Sequence, residues 1–367
     1  MRYFLIAGEA SGDLHGSKLI ESLRAEDPDA EFCFRGGDFM ASAAGVAPVA
    51  HYRDGAVMGP EDVLAKSGSL LSSLKKCKRE ISAWRPDAVI LIDYPGFNLK
   101  IASYCHRKHI RTIYYIAPKT WASRSWRNKR IRKVVDKLYI IFPFEVPYFE
   151  KAGVPFVYKG NPLVDIIESH DFKRPAEGRY LAVLPGSRKS EISRTLPVCM
   201  DVVDSLGINC LVAGAPSRSE EDYAPYIGSR KNVRLIFGRT YDILKYADAA
   251  IVNSGTASLE AALIGTPQLV CWSTGRMSWF YAEHLLHIRK HINYISLGNL
   301  ILDKQVFREF IQNDFTSSAV LAEAKRLLED THYRASMSED YARIREALGG
   351  REAAGEIARS MIETIKQ

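Results

Sequence analysis

The chain has 367 residues, 47% of them apolar, 25% charged and 10% aromatic, with a net charge of +7. This composition excludes a disordered, collagenous or coiled-coil chain, and at about 100–200 residues per domain the length predicts two domains. The mild positive charge favours an anionic partner without naming it.

The chain opens on Met1-Arg2-Tyr3-Phe4-Leu5-Ile6-Ala7. This apolar run is too short for a signal peptide, and a polar glycine-bearing turn follows at once. It reads as a first buried strand of a cytosolic protein. Short β-branched or aromatic runs then alternate with amphipathic stretches, the pattern of βαβ units. Strands are expected at Tyr3–Ala7, Glu31–Arg35, Ala88–Ile92, Thr112–Ile116, Lys137–Ile141 and Phe156–Tyr158. Helices are expected between them at Leu14–Arg24, Leu70–Ala83, Phe97–Arg107 and Asn128–Val135. The pattern breaks across Pro162–Glu177, and a second series follows at Tyr180–Leu184, Asn209–Ala213, Val233–Phe237, Ala249–Val252 and Gln268–Cys271.

The tail, Ser317–Gln367, is helical by pattern, with breaks near Thr331 and at Gly349-Gly350. After that break, Ala354, Ile357, Ala358, Met361 and Ile365 form one apolar stripe. The stripe is expected to pack on the first domain of its own chain or, in a homodimer, on a partner's. The expected organisation is thus a domain at 1–168, a second at 169–348 and a returning helix at 349–367. Apolar runs such as Ala88–Ile92 and Leu138–Phe142 fall far short of the ~20 residues of a membrane span. The six cysteines are scattered without a CxxC pair, so they read as small apolar residues and no metal site is expected.

In open α/β sheets, ligands bind beyond the carboxyl ends of strands, and four stretches there carry chemistry. The first strand runs into Gly8-Glu9-Ala10-Ser11-Gly12-Asp13, where glycines permit a tight turn and a helix N-terminus attracts anions. Ser11 or Asp13 is alternatively a simple helix cap. Glu9 stands at the mouth of a buried strand. Strand Ala88–Ile92 ends in Asp93-Tyr94-Pro95-Gly96-Phe97-Asn98, which places a carboxylate where a general base or a ligand hydroxyl is needed. The second domain opens with Leu184-Pro185-Gly186-Ser187-Arg188, a turn, a guanidinium and a helix start suited to phosphate. Then Ser254-Gly255-Thr256 offers phosphate donors, and Glu260, one helical turn on, can take ribose hydroxyls. Between Tyr94 and Val135 there is no acidic residue, while eleven Lys or Arg are interleaved with Tyr114, Tyr115, Trp121 and Trp126. Phosphate or anionic lipid fits that stretch; nucleic acid is not expected, because no motif for it is present.

Several of these stretches coincide with one family. Gly8-Glu9-Ala10-Ser11-Gly12-Asp13, Val57-Met58-Gly59, Asp93-x-Pro-x-Phe-Asn98, Pro143-Phe144-Glu145, Leu184-Pro-Gly-Ser-Arg188 with Glu191, Ser254-Gly-Thr-Ala-Ser-Leu-Glu260 and Ile295-Ser296-Leu297-x-Asn299-Leu300 run in order over nearly the whole chain. Together they resemble the bacterial lipid-A-disaccharide synthases. The resemblance implies the GT-B fold, two doubly wound Rossmann-like domains facing a central cleft. It implies inverting transfer of 2,3-diacylglucosamine from UDP to the 6-hydroxyl of 2,3-diacylglucosamine 1-phosphate. It also implies no metal and no cofactor, at the inner face of the bacterial inner membrane. Asp93 and Glu9 are the expected catalytic carboxylates. Ser11, Gly12, Asn98, Gly186, Ser187, Arg188, Ser254, Gly255, Thr256, Glu260 and Asn299 are the expected substrate contacts. Val63, Leu64, Leu70, Leu74 and Ile81, flanked by lysines, are expected to form a membrane-facing helix with Val63 and Leu64 in contact with anionic lipid; packing of its second half on the sheet is the alternative. Two other readings remain: another UDP-N-acetylglucosamine enzyme of the same fold, and a nucleotide-binding peripheral membrane protein.

Overall fold

The computed structural model describes residues 1–55, 67–122, 124–275, 293–350 and 352–367. Val63, Leu64 and the motif Val57-Met58-Gly59 lie outside the described residues. The chain forms two compact units, one of Met1–Ile166 with Leu348–Gln367, the other of Ile167–Ala347.

The first unit holds seven parallel strands: β1 (Arg2–Ala7), β2 (Glu31–Gly36), β3 (Ala50–His51), β4 (Ala88–Ile92), β5 (Arg111–Tyr115), β6 (Lys137–Ile140) and β7 (Val157–Tyr158). Their spatial order is β3-β2-β1-β4-β5-β6-β7. β1 lies between β2 and β4, with Phe4 opposite both Cys33 and Val89. Tyr3, Phe4, Leu5, Val89, Ile90 and Leu91 have no exposed surface. Strands covered by helices on both faces need such continuous apolar runs rather than alternation. The strand order reverses between β1 and β4, so a crevice opens at the carboxyl ends of these two strands.

The second unit repeats the plan with six parallel strands: β8 (Tyr180–Leu184), β9 (Asn209–Gly214), β10 (Val233–Phe237), β11 (Ala249–Asn253), β12 (Gln268–Trp272) and β13 (Glu309–Ile311). Their order is β10-β9-β8-β11-β12-β13, and the reversal falls between β8 and β11. Both units are therefore doubly wound α/β sheets, the fold class expected. The short edge strands β3 and β13 carry two and three residues, too few for any periodicity, and were not expected.

The tail helix Ala353–Lys366 belongs to the first unit and packs on helix Ala10–Glu26. Its buried face is Ala353, Ala354, Ile357, Ala358, Met361 and Ile362. Ile362 takes the place expected of Ile365, which is half-buried. Tyr139 Oη meets Ser360 Oγ at 2.9 Å, and Arg359 pairs with Glu26 at 2.8 Å. The helix Ser67–Trp84 corrects the membrane expectation for its own residues. Leu74, Cys77 and Ile81 are buried in the core beside β4 and β5, with Leu70 packed against them, while Leu71 is exposed. Spacing alone does not say whether an apolar stripe faces lipid or sheet. Among the described residues no helix is long and apolar enough to cross a membrane.

Candidate active site

The first cluster gathers at the carboxyl ends of β1, β4, β5 and β6, four neighbouring strands. Glu9 follows β1 in extended backbone, immediately before helix Ala10–Glu26. Ser11 Oγ donates to Glu9 Oε1 at 2.9 Å, so it orients that carboxylate. Asp13 is buried and accepts from the Gly37, Phe39 and Met40 amides at 2.7, 3.1 and 3.2 Å. It caps helix Asp38–Ala44 instead of its own helix. Gly12 is buried, its missing Cβ position 3.3 Å from Ala7 Cβ, so its size serves helix-on-strand packing.

Asp93 and Tyr94 follow β4 with φ of 42° and 47°. Two successive side-chain-bearing residues in the left-handed region are strained and persist only when held. The hold is visible. The Asp93 carbonyl accepts from Asn98 Nδ2 at 2.8 Å and Tyr114 Oη at 2.6 Å, and its amide donates to Tyr115 O at 3.2 Å. Tyr94 lays its ring over Gly8, where any Cβ would come within 2.3 Å of it. Asn98, expected to touch substrate, is instead fully buried and fixes the turn from behind through Ile92 O and Asp93 O. The half-buried Asp93 carboxyl is pushed up to about 6, by burial first, with Lys119 opposing and Glu9 adding to the rise. A carboxyl poised there is ionised at neutral pH yet basic enough to take a proton.

The second cluster lies at the reversal of the other sheet, where Val252 of β11 pairs with Leu184 of β8. Gly186 has φ of 109°, and a Cβ there would meet Glu191 Oε2 at 2.6 Å and Asn253 Nδ2 at 2.8 Å. Arg188, in extended backbone, caps helix Lys189–Leu206. Glu191 Oε2 accepts from the Ser187 and Arg188 amides at 2.9 and 3.2 Å, and Glu191 Oε1 accepts from Arg188 Nη1 at 2.9 Å. The Ser187 and Arg188 amides of this expected phosphate turn are thus engaged by Glu191, while the Arg188 side chain remains 59% exposed.

After β11, the Ser254 amide donates to Cys271 O at 2.8 Å and its hydroxyl to Ile295 O at 3.4 Å. Gly255 precedes helix Thr256–Ile264, whose first-turn amides point out of the helix end. Glu260 accepts from Tyr241 Oη at 2.9 Å, and burial pushes its carboxyl up to about 7 against that hydrogen bond. Asn299 corrects another expectation. It is fully buried, donates to Phe307 O and Glu309 Oε1 at 2.9 Å each, and accepts from the Val306 amide at 2.8 Å. It ties helix Leu297–Leu302 to the chain entering β13. Tyr241 was missed, because a partner 19 residues away leaves no motif.

The lipid-A-disaccharide synthetase family model matches residues 3–362. The chain is 33% identical over 380 residues to the lipid-A-disaccharide synthase of Trichlorobacter lovleyi, covering all of this chain and 98% of that one. Among solved structures it resembles Staphylococcus aureus MnaA in complex with UDP, with a TM-score of 0.71 at 12% identity over 100% of this chain and 98% of that one. It also resembles the calicheamicin glycosyltransferase CalG4, with a TM-score of 0.58 at 14% identity over 100% and 99%. At those identities the structural likeness is one of fold.

Proposed function

The chain belongs to the lipid-A-disaccharide synthetase family and is a glycosyltransferase that forms the lipid A disaccharide from a UDP-sugar; on that premise we propose that the donor is UDP-2,3-diacylglucosamine, the acceptor 2,3-diacylglucosamine 1-phosphate, and the transfer inverting. Asp93 takes the proton of the acceptor 6-hydroxyl as that oxygen attacks the anomeric carbon of the donor. The bond from that carbon to the diphosphate breaks on the opposite face, and UDP leaves with the electron pair. Glu9, oriented by Ser11, positions the acceptor or shares the base role. Arg188 and the Ser254-Gly255-Thr256 turn meet the charge developing on the diphosphate, and Glu260, steadied by Tyr241, takes the ribose.

The Asp93 carboxyl carries the assignment. It is raised by burial, held in strained backbone by Asn98 and Tyr114, and stands at the strand reversal where ligands bind. The protein works peripherally at the anionic inner face of the inner membrane. The basic stretch Arg124–Lys133, with Trp126 63% exposed, supports that placement. The test is product analysis with acylated donor and acceptor. Disaccharide 1-phosphate should form, and Asp93→Asn should lower turnover roughly 10²–10⁴-fold. A folded Asp93→Asn enzyme with near-normal turnover removes Asp93 from the role. Activity should survive EDTA, because guanidinium and amides carry the leaving charge; loss restored by Mg²⁺ would refute that.

A further inference from the structure

One carboxyl group beside the proposed base has no place in the mechanism above. Glu145 follows β6, at the same end of the sheet as Asp93, and is 1% exposed. Burying a carboxylate is costly unless its oxygens are satisfied, and here both are. Oε2 accepts from the Ile141 and Phe142 amides at 3.3 and 3.2 Å. Oε1 accepts from Trp121 Nε1 at 3.2 Å. One side chain thus clamps two segments, the turn after β6 and the turn after β5.

Those segments carry three aromatic rings. Phe142 and Phe144 are stacked at 5.3 Å and 5°, and Trp121 meets Phe144 edge-on at 5.0 Å and 82°. Phe142 is buried behind, while Trp121 and Phe144 are half-buried and form the surface. β4, β5 and β6 are adjacent, so the strands that lead to Asp93 and to Glu145 lie two spacings apart, about 10 Å, with the strand that leads to Trp121 between them. Lys119, two residues before Trp121, acts electrostatically on both Asp93 and Glu145, which places rings and base in one neighbourhood. An apolar surface of two rings meeting at 82° next to a base suits a pyranose, whose C–H face is apolar and whose hydroxyls are not.

We propose that Trp121 and Phe144 form a shelf for the acceptor sugar ring, and that Glu145 is a positioning residue that holds the shelf beside Asp93. This rests on the glycosyltransferase assignment and goes beyond it in naming the acceptor subsite. A ring held only for packing would affect folding and both substrates alike. A shelf affects the acceptor alone.

The experiment measures KM for acceptor and donor separately in the full chain, alongside the urea midpoint. Trp121→Leu should raise the acceptor KM about tenfold, the effect of one lost ring contact, with donor KM unchanged. Trp121→Phe keeps a ring and loses the Nε1 donor, so it should recover most of the loss. Glu145→Gln cannot accept from two amides and from Trp121 together, and should raise the acceptor KM in the same direction. An unchanged acceptor KM in Trp121→Leu, or equal rises for donor and acceptor, overturns the shelf. If Glu145→Gln does not fold, the two Trp121 variants decide the shelf, and a Trp121→Phe acceptor KM equal to that of wild type shows the Nε1 bond, and with it the clamp, to be idle. A wild-type protein that makes no disaccharide refutes the enzyme assignment itself, an outcome distinct from an active enzyme indifferent to Trp121.

Discussion

At Asp93 burial raises a carboxyl at the expense of the fold. Its carboxyl is pushed from 3.8 up to about 6 by burial. A carboxyl whose folded value lies above its unfolded one binds more protons when folded, so its contribution to stability falls as pH rises. Below pH 3.8 both states are protonated and the residue is neutral in effect; above about 6 the full penalty applies. Asp93→Asn should therefore be more stable than wild type at pH 7, with the gain shrinking through pH 6 and gone near pH 4. Urea titrations at those pH values check this, and a gain independent of pH would show that relief of backbone strain is the cause. The same ionisation should place the acidic limb of the kcat/KM profile near pH 6, rising with pH. Asn98 and Asn299 carry a second lesson at this scale. Both sit in motifs next to the expected chemistry, and both are fully buried and spend their amides on backbone carbonyls. Sequence showed that an amide belongs at these positions. It did not show whether the amide faces a ligand or the chain, because burial is settled by segments far away in sequence.

The elements were legible where one periodicity ran long enough. β4 and β8 are apolar throughout, as are β1 after Arg2 and β11 before Asn253, and a run buried on both faces is read without knowing its neighbours. Helix Ser67–Trp84 was legible as a helix but not in its facing, since Leu74 and Ile81 would look the same against lipid. The tail helix Ala353–Lys366 is the opposite case, its stripe placed to within one turn. Its start was legible to within a few residues from the Gly349-Gly350 break, but its cap was not, because the capping group comes from another segment. Asp165 accepts from the Glu352 amide at 2.8 Å and the Ala354 amide at 3.2 Å, 187 and 189 residues away. Nearby, the Asn161 amide donates to Leu348 O at 3.0 Å, so the departing and returning strands of chain are tied side by side. Removing a helix cap costs about 1 kcal/mol. Asp165→Ala should lower stability by that amount, and hydrogen exchange should show faster opening confined to 352–366. Uniform loss of protection across the first unit would show that the cap supports more than the tail.

At the scale of the whole chain, both units place their candidate site residues by the same device, a strand reversal with turns after the two strands that flank it. The membrane reading is also a property of this scale, since no single helix among the described residues carries it. Binding to anionic liposomes should weaken with salt, as each basic residue near such a surface contributes about 1 kcal/mol. It should weaken also with Trp126→Ser, and with Val63→Ser combined with Leu64→Ser. If the paired change unfolds the protein but leaves binding per folded molecule intact, Val63 and Leu64 are core. The division of the chain has one more effect, on its synthesis. The first unit needs Leu348–Gln367, which is made only after all of Ile167–Ala347. At about 5–20 residues per second, those roughly 180 residues take about 10–40 s to translate. For that interval helix Ala10–Glu26 waits on the ribosome without the helix that covers it, while the second unit emerges complete. The unit begun first is finished last, and its open helix face is a surface that nascent-chain chaperones would meet.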